Sequence, residues 1–349
     1  MATTMTAGAG GIARVARLMA RSLAELRRDG VIDATACSLV ETEPPAGIDL
    51  PMTVCSGSRA RFVAHSHARS WGHSHFIYDH LGTARAHCRI PGLRKPFLGY
   101  LHGIEIWEDA RRDRLEGARR ADALLVNSHY TLERARALHG GMEAAEVCWL
   151  ATEEDEPPLE QQHSQERPRA LMVSRIGEAY KGHTLLVDSW PKVCAVVPGA
   201  VLTFVGDGPG FDALKRRVDA SPVAGSIEML GFVSETELQD VYGRSSLMAL
   251  PSRQEGFGLV SIEAMRHALP VLATVHDASS EVNVDGETGR NVDLDEPGML
   301  EDRLIQLLSD PQQALAMGQR GQQRWREHFR YRAFKGRFER LLWSFLERQ

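Results

Sequence analysis

Residues 255–265 read EGFGLVSIEAM, in which two glutamates flank a short run that contains two glycines. In one continuous helix, eight residues would separate Glu255 from Glu263 by roughly 12 Å along the axis, too far to share a proton or a metal. The glycines instead favour a tight loop, followed by a helix from about Val260 that ends before Pro270. This prediction places Glu263 in the first helical turn.

A loop that leads into a helix leaves several backbone N–H groups unpaired and pointing the same way, with about half a positive charge behind them. Such a helix start suits an anion. We therefore interpret the segment as a cradle for a polar, anionic ligand, with Glu255 and Glu263 at its two ends. The alternative is an acidic helix start that only caps itself.

Outward from this segment, short apolar runs alternate with helical patterns along the 349 residues. Alternation of this kind predicts α/β domains with parallel sheets covered on both faces. Polar residues 153–167 predict a linker, so we expect two Rossmann-like, doubly wound domains, 1–152 and 168–330, facing each other across a cleft. Residues 331–349 predict an amphipathic helix that packs toward the first domain. The predicted strands are ARFVAHS, PFLGYLHG, ADALLVNS, RALMVSR, AVLTFVGDG, SIEMLGF, SSLMALPS and LPVLAT.

Charge is unevenly distributed along the chain. Residues 1–150 carry 19 Lys and Arg against 16 Asp and Glu, whereas the remainder carries 22 against 30. The basic first half fits a phosphorylated acceptor or peripheral contact with an anionic membrane surface, but we favour solvated helix faces as its cause. The chain lacks a strong basic stripe with aromatic residues, which argues against nucleic-acid binding.

The cysteines are isolated, and no two form a C-x-x-C pair, which predicts a reduced, cytoplasmic protein without a structural zinc site. No apolar stretch is long enough for a transmembrane helix, and the start lacks the features of a signal peptide. The segment GIARVARLMARSLAELRR fits an Arg-rich transit peptide or a packed amphipathic helix; we favour the helix. The five cysteines are Cys37, Cys55, Cys88, Cys148 and Cys194.

Three further loops carry residue types that bind phosphates or sugars. In VSRIGEAYKG, Arg175 and Lys181 follow a predicted strand and can neutralise a diphosphate. In GYLHGIEIW, His102 ends an apolar strand and precedes Glu105, so it can bond a sugar or a phosphate. In GAGGIARVA, a glycine turn enters a helix; residues 8–13 also fit the dinucleotide pattern G-x-G-x-x-A, although only MATTMT precedes them.

The D-x-D of Asp293 and Asp295 lies in the turn-rich loop GETGRNVDLDEPGM. A metal site is one interpretation. We interpret these residues instead as helix N-capping and solvated side chains, and we expect no metal.

Together, these segments resemble the family 4 retaining glycosyltransferases, also known as glycosyl transferases group 1, which have the GT-B fold. EGFGLVSIEAM matches the E-x7-E motif of that family, SRIGEAYKG its diphosphate motif, GAGGIARVA its glycine loop and LHGIE its His-bearing loop. VGDGP, LGFVSETEL and MALPSRQEGFG also follow the order of the family. The resemblance extends over nearly the whole chain.

The resemblance implies a UDP- or GDP-sugar donor bound mainly by the second domain, with no other cofactor. Glu263 is expected to bond the ribose, and the backbone near Val233 the base. Arg175 and Lys181 are expected to hold the diphosphate. The remaining implied positions are Glu255 with the backbone of Gly256, Phe257, Gly258 and Leu259 at the donor sugar, Gly10 and Gly11 beside the diphosphate, and His102 and Glu105 on the acceptor side.

The expected reaction is a metal-independent transfer of a sugar to a glycan or lipid-linked acceptor, with retained configuration, in surface polysaccharide or glycoconjugate synthesis. Double displacement needs carboxylates about 5 Å apart, so we favour front-face attack in which the leaving phosphate deprotonates the acceptor. The alternatives are an NAD-dependent oxidoreductase that uses the turn at Gly8 to Ala13 and a non-catalytic nucleotide-sugar-binding protein. Family members begin with a full first strand; here either that strand is truncated to ATTMT or the true start lies upstream.

Overall fold

The chain divides into two units. Unit 1 comprises Met1–Glu153 together with Tyr331–Gln349, and unit 2 comprises Glu154–Arg330. Most of the expected linker, residues 159–166, lies outside the described residues. The structure, a computed structural model, describes residues 1–108, 110–158 and 167–347.

Parallel strands form the central layer of unit 1. They are β1 (Ala36–Ser38), β2 (Met52–Val54), β3 (Phe76–Tyr78), β4 (Phe97–Leu101), β5 (Ala123–Val126) and β6 (Ala145–Val147). The last four form a sheet in the order β3-β4-β5-β6, and β1 pairs with β2. Residues 1–3 lie between these sheets: Ala2 bridges to Ser38 in β1, and Met1 O accepts a hydrogen bond from Asp79 N, just after β3, at 3.1 Å. The stretch ATTMT thus contributes one bridge to this layer.

In the described part of unit 1, helix α1 (Gly11–Arg28) precedes β1, and four helices connect later strands: α2 (Arg59–Arg69), α3 (Leu81–Ala84), α4 (Arg112–Arg120) and α5 (His129–His139). The prediction of a strand at ARFVAHS is wrong, because these residues lie in α2. Ser58 caps this helix by accepting a hydrogen bond from Arg61 N at 3.3 Å. Only Phe62 and Ser66, one helical turn apart, are buried in α2, so its burial repeats with the helical period and not with the alternation of a strand.

Unit 2 has one sheet of six parallel strands, in the order β12-β11-β10-β7-β8-β9. They are β7 (Arg169–Val173), β8 (Val201–Val205), β9 (Ile227–Met229), β10 (Leu247–Ala249), β11 (Val271–Thr274) and β12 (Gly289–Val292). The chain moves outward from β7 in one direction through β8 and β9, then returns and moves in the other direction from β10 to β12. This doubly wound order confirms the predicted fold class for unit 2.

In the described part of unit 2, seven α-helices accompany this sheet: α6 (His183–Val196), α7 (Phe211–Asp219), α8 (Glu235–Gly243), α9 (Leu259–Arg266), α10 (Ser279–Val282), α11 (Met299–Ser309) and α12 (Pro311–His328). The central strands are apolar on both faces; Leu171 in β7 and Met248 in β10 are fully buried. This is the burial expected where helices cover both faces of a parallel sheet.

Helix α13 (Tyr331–Leu346) ends the described chain and packs on α1 within unit 1. Lys335 in α13 donates to Glu25 in α1 at 2.7 Å. No helix among the residues that the structure describes combines the length and apolarity needed to cross a bilayer. The apolar face predicted for α13 is buried and consists of Phe334, Phe338, Leu341, Leu342 and Phe345.

Candidate functional site

The topological switch point of unit 2 lies between β7 and β10, which pair side by side although the chain leaves them toward opposite edges of the sheet. In open α/β sheets, ligands bind beyond the carboxyl ends of the strands at such a point. The loop after β7 carries Arg175 and Lys181, and the loop after β10 carries Glu255. Three of the sequence-predicted residues therefore lie on the two loops that flank the switch point.

Lys181 and Glu255 form an ion pair at this point. Lys181 Nζ donates to Glu255 Oε2 at 2.6 Å, and each side chain is only 18% exposed. Burial alone lowers the pKa of Lys181, but the Glu255 carboxylate outweighs it, so the net pKa is raised. The ammonium therefore stays charged at neutral pH, as a diphosphate site requires.

Arg175 lies on the same loop but is much more open. Its side chain is 70% exposed, and its Nε lies 3.9 Å from Glu178 Oε1. A pair at that distance and exposure contributes little stability. The guanidinium is thus accessible to a ligand from solvent.

Two glycine-dependent backbone contacts shape the loop that carries Arg175. Ser174 N donates to Val205 O, and Ile176 N donates to Asp207 O, both at 3.0 Å. A Cβ on Gly208 would lie 2.0 Å from Ile176 O. The glycines of VGDGPG are therefore needed because the loop after β8 lies directly against the loop after β7.

The glycine-containing loop ends where α9 begins. Gly258 is the N-cap of α9 with φ +95°, a left-handed conformation that favours glycine. Gly256 precedes it in the loop, and Leu259 is the first helical residue. Phe257 is 2% exposed, and its ring meets Phe329 edge-on at 5.9 Å. Phe257 therefore fixes the loop through its side chain and has only its backbone to offer a ligand.

Helix α9 corrects the predicted position of Glu263. The helix begins at Leu259, one residue before the predicted start, and ends at Arg266. It ends early because Ala268 has φ +52° and Pro270 follows. Glu263 is consequently the fifth residue of α9 and lies outside the first turn. It accepts a hydrogen bond from Tyr242 Oη at 2.9 Å, a contact that the sequence analysis did not predict.

The sequence analysis also missed Asp277. This residue follows β11, is fully buried, and accepts a hydrogen bond from Glu255 N at 2.9 Å. Burial raises its pKa to about 6. An aspartate shortly after the buried run LPVLAT was the available signal, because the carboxyl ends of parallel strands meet at one sheet edge.

His183, the first residue of α6, follows the loop that carries Lys181. Ser174 Oγ and His183 Nε2 are 2.8 Å apart. Burial, with a smaller effect from Lys181, lowers the pKa of His183 to about 4. The imidazole is therefore neutral at pH 7 and adds no charge to the site.

The loop after β9 contains Val233, the predicted contact of the nucleobase. Gly231 O accepts a hydrogen bond from Gly206 N at 2.8 Å, which joins this loop to the loop after β8. Ser234 and Glu237 then form a capping box at the start of α8. Phe232, which lies between Gly231 and the capping Ser234, has a side chain that is 84% exposed. The loop at this edge of the sheet therefore presents an aromatic ring to solvent.

Asp293 and Asp295 do not cap a helix, so the N-capping part of that interpretation is wrong: α11 begins after Gly298, which has no capping side chain. Both side chains are exposed to solvent, Asp295 at 70% and Asp293 at 39%. Asp293 Oδ1 lies 3.0 Å from His276 Nε2, and Asp295 Oδ1 accepts a hydrogen bond from Arg253 at 2.7 Å. The side chains of His276, Asp293 and Asp295 are close enough together to hold a cation. Arg253 forms an ion pair with Asp295, and His276 contacts Asp293, so both carboxylates have partners among the described side chains.

In unit 1, His102 follows β4, as predicted. Its Nε2 lies 2.7 Å from Asp79 O, and because a carbonyl only accepts, Nε2 carries the proton. Glu105 accepts a hydrogen bond from His102 N at 2.5 Å, and Asn127 Nδ2 donates to His102 O at 2.7 Å. Glu105 and Asn127 thus hold the backbone of His102, a role that the sequence analysis did not assign to either.

The glycine loop of unit 1 depends on Glu41. This buried carboxylate accepts hydrogen bonds from Thr4 Oγ1 at 2.6 Å and Thr6 Oγ1 at 3.1 Å. The same segment ends at Gly10, the N-cap of α1 with φ +95°, and Gly11 begins the helix. A Cβ on Gly10 would meet no atom within 4 Å. Glycine is therefore favoured at this position by the backbone angle φ and not by lack of space.

Comparison with known proteins extends this description. Residues 154–324 match the family model described as Glycosyl transferases group 1. The chain is 29% identical over 184 residues to a GDP-mannose-dependent alpha-(1-6)-phosphatidylinositol monomannoside mannosyltransferase of Mycolicibacterium smegmatis, covering 51% of this chain and 48% of the relative. It is 30% identical over 161 residues to the N-acetyl-alpha-D-glucosaminyl L-malate synthase of Bacillus anthracis, covering 46% and 42%. The chain thus matches about half the length of these curated relatives.

Solved structures match over nearly the whole chain. Anabaena HepE in complex with UDP and glucose has a TM-score of 0.77 at 18% identity, covering 98% of this chain and 99% of that one. Sucrose-phosphate synthase from Thermosynechococcus elongatus has a TM-score of 0.79 at 18% identity, covering 97% and 94%. At this identity the likeness establishes the fold, which is GT-B with two Rossmann-like domains. Residues 154–324 therefore belong to the glycosyl transferases group 1 family.

Proposed function

We propose that this protein is a retaining glycosyltransferase that moves a sugar from a UDP- or GDP-sugar to a glycan or lipid-linked acceptor. The observation that carries the proposal is the Lys181–Glu255 pair at the switch point of unit 2, where a mostly buried cation and a carboxylate lie 2.6 Å apart. The GDP-mannose dependence named for the similar mannosyltransferase, and the UDP and glucose bound in the similar HepE structure, support a nucleotide-sugar substrate.

In this proposal, the donor diphosphate binds Arg175 and Lys181. Bond cleavage at the anomeric carbon leaves negative charge on the diphosphate, and cations already fixed around it stabilise the transition state. These two side chains and the start of α9 supply that stabilisation without a metal. The other proposed contacts are Glu255 and the backbone of residues 256–259 at the donor sugar, Glu263 at the ribose, Val233 at the base, and Gly10 and Gly11 at the diphosphate.

On the acceptor side we propose His102, held in place by Glu105. The acceptor hydroxyl attacks the same face from which the diphosphate departs, and a phosphate oxygen of the leaving group takes its proton. No protein nucleophile is needed in this route. A glycosyl adduct trapped on Glu255 would therefore rule it out.

We further propose that unit 1 contacts an anionic membrane surface at the cytoplasmic face, where surface polysaccharides or glycoconjugates are made. Burial, followed by the charges of Arg89 and Arg94, lowers the pKa of Arg120, while Glu116 raises it. Arg94 also pairs with Asp122 at 2.9 Å, so these arginines act within a mixed patch of charge. Clustered cations favour anionic lipid. Arg89→Glu should weaken flotation with phosphatidylglycerol vesicles, whereas Arg303→Glu in unit 2 should not; equal flotation of both variants would count against the contact.

Thermal-shift titration with UDP, GDP and NAD tests the proposed donor. A nucleotide at 100 times its dissociation constant adds about 2.7 kcal/mol to the free energy of unfolding. Stabilisation by UDP or GDP but not by NAD is expected, and the reverse would favour an oxidoreductase. Turnover of UDP-glucose and GDP-mannose by wild type and Glu255→Ala then separates an enzyme from a binding protein, for which both rates would equal background.

A further inference from the structure

The loop after β11 holds the loop after β10 from the side. Asp277 Oδ2 accepts a hydrogen bond from Glu255 N at 2.9 Å, and Ala278 N donates to Glu255 O at 3.1 Å. Thr274 Oγ1 also donates to Ser252 O at 2.6 Å. Both backbone polar groups of Glu255 are therefore bonded to residues of the neighbouring loop.

Asp277 has a second set of partners that fixes its own position. Its Oδ1 accepts hydrogen bonds from Ser279 N, at 3.0 Å, and from the Ser279 hydroxyl. These two hydrogen bonds form a local turn at the start of α10, and the turn uses only one carboxylate oxygen of Asp277. The other oxygen points to Glu255, which lies 22 residues away in the chain. A turn-forming role alone does not account for that contact.

Two of the three groups that face Asp277 are charged. Glu255 and Lys181, from two other loops, both interact electrostatically with it, and Ser279 faces it from its own loop. Lys181 is thus the one cation among these groups, beside two carboxylates. Burial raises the pKa of Asp277 to about 6. The charge of the Asp277 carboxyl therefore changes within the ordinary working range of pH.

We propose that Asp277 is a positioning residue of the donor site: it holds the Glu255 peptide so that the Glu255 carboxylate stays on Lys181 in the geometry that receives the donor. The inference rests on the proposed function, which it deepens. Without Asp277, the Glu255 N–H loses its side-chain acceptor, and an N–H left unpaired is costly. Substitution of Asp277 therefore removes the contact that fixes the loop after β10 at Glu255.

Two substitutions separate positioning from a structural role. Asp277→Ala removes the acceptor for Glu255 N–H, whereas Asp277→Asn keeps one amide oxygen. Asp188→Asn is the control, because Asp188 is a half-exposed surface carboxylate paired with Arg217 in the same unit. We expect Asp277→Ala to lower kcat/KM for the nucleotide-sugar by about tenfold or more, with partial rescue in Asp277→Asn. In wild type, kcat/KM should change with an apparent pKa near 6, and this inflection should disappear in both variants.

A second readout does not depend on turnover. The rate at which an amine-reactive acylating reagent labels Lys181, followed by mass spectrometry, reports how tightly Glu255 covers the ammonium. Labelling should be several-fold faster in Asp277→Ala than in wild type or Asp188→Asn. Variants that melt earlier but keep the wild-type kcat/KM, pH profile and Lys181 labelling rate would overturn the inference and leave the proposed function intact. Absence of turnover in wild type, with faster Lys181 labelling in Asp277→Ala, would overturn the proposed function and leave the positioning role intact.

Discussion

Lys181 Nζ lies 2.6 Å from Glu255 Oε2, and the two side chains come from loops that leave neighbouring strands. Each charge is satisfied by the other. Because both are mostly buried, removal of either partner leaves a costly unpaired charge.

Lys181→Met should abolish most donor turnover. The substitution removes the cation that stabilises the departing diphosphate, and comparable losses elsewhere reduce kcat by about 100-fold or more. Steady-state kinetics with the better of UDP-glucose and GDP-mannose measures the effect. Lys192→Met is the control, because Lys192 is 69% exposed and pairs with Glu301 at 2.9 Å. Equal kcat/KM in the two variants would show that Lys181 has no part in catalysis.

Gly208→Ala should destabilise unit 2 by more than about 2 kcal/mol. Gly208 has φ +153°, and an added Cβ would lie 2.0 Å from Ile176 O, so the loop that carries Arg175 must shift. Gly225→Ala is the matched control, because a Cβ there meets no atom within 4 Å and φ is not positive. Thermal unfolding of both variants decides the point; a melting temperature for Gly208→Ala equal to that of the control would contradict the described loop contact.

Tyr242→Phe should weaken the donor site without abolishing the reaction. The phenol donates to Glu263 Oε2 at 2.9 Å, and loss of that hydrogen bond lets the carboxylate turn away from the ribose. We expect KM for the donor to rise several-fold while kcat stays nearly constant, as is typical when ground-state and transition-state binding weaken together. Tyr78→Phe removes a buried phenol that contacts Ser66 at 3.0 Å and His87 at 3.1 Å, and should leave KM unchanged. A fall in kcat alone for Tyr242→Phe would argue against this role.

His183 should make unit 2 sensitive to acid. Its pKa is lowered to about 4 by burial, against about 6.5 in an unfolded chain. Between these values the folded state binds fewer protons than the unfolded state, so stability falls as the pH falls through this window, by about 3 kcal/mol at most. His183→Gln should lose less stability than wild type between pH 7 and pH 4 in chemical denaturation. His67→Gln, on α2 of unit 1, should follow the wild-type curve; a His183→Gln curve that also matched wild type would refute the assignment.

Seven of the eight predicted strands are correct, because buried parallel strands are continuous apolar runs that a sequence displays directly. ARFVAHS failed because a helix that buries only Phe62 and Ser66 leaves a similar short apolar run. The missed strands β1, β2, β3 and β6 have three residues each, too few for a recognisable pattern. Strand β12 was missed because it contains Gly289, Arg290 and Asn291, which have low strand propensity as a group.

The site was predicted as a set of residue types on loops, and its internal contacts were not. Sequence spacing placed Lys181 and Glu255 at the ends of strands, but only the doubly wound strand order makes β7 and β10 neighbours. The contacts of Asp277 with Glu255 and of Tyr242 with Glu263 join residues 22 and 21 positions apart. Such contacts depend on how loops and helices pack, which no local pattern encodes.

The most direct test is a crystal structure of the protein with UDP or GDP bound. The account predicts a diphosphate oxygen within about 3 Å of Lys181 Nζ, with the Arg175 guanidinium turned toward the same diphosphate and the ribose on the Glu263 carboxylate. A nucleotide bound away from the carboxyl ends of β7 and β10, with Lys181 still paired to Glu255 and no phosphate near it, would contradict the account.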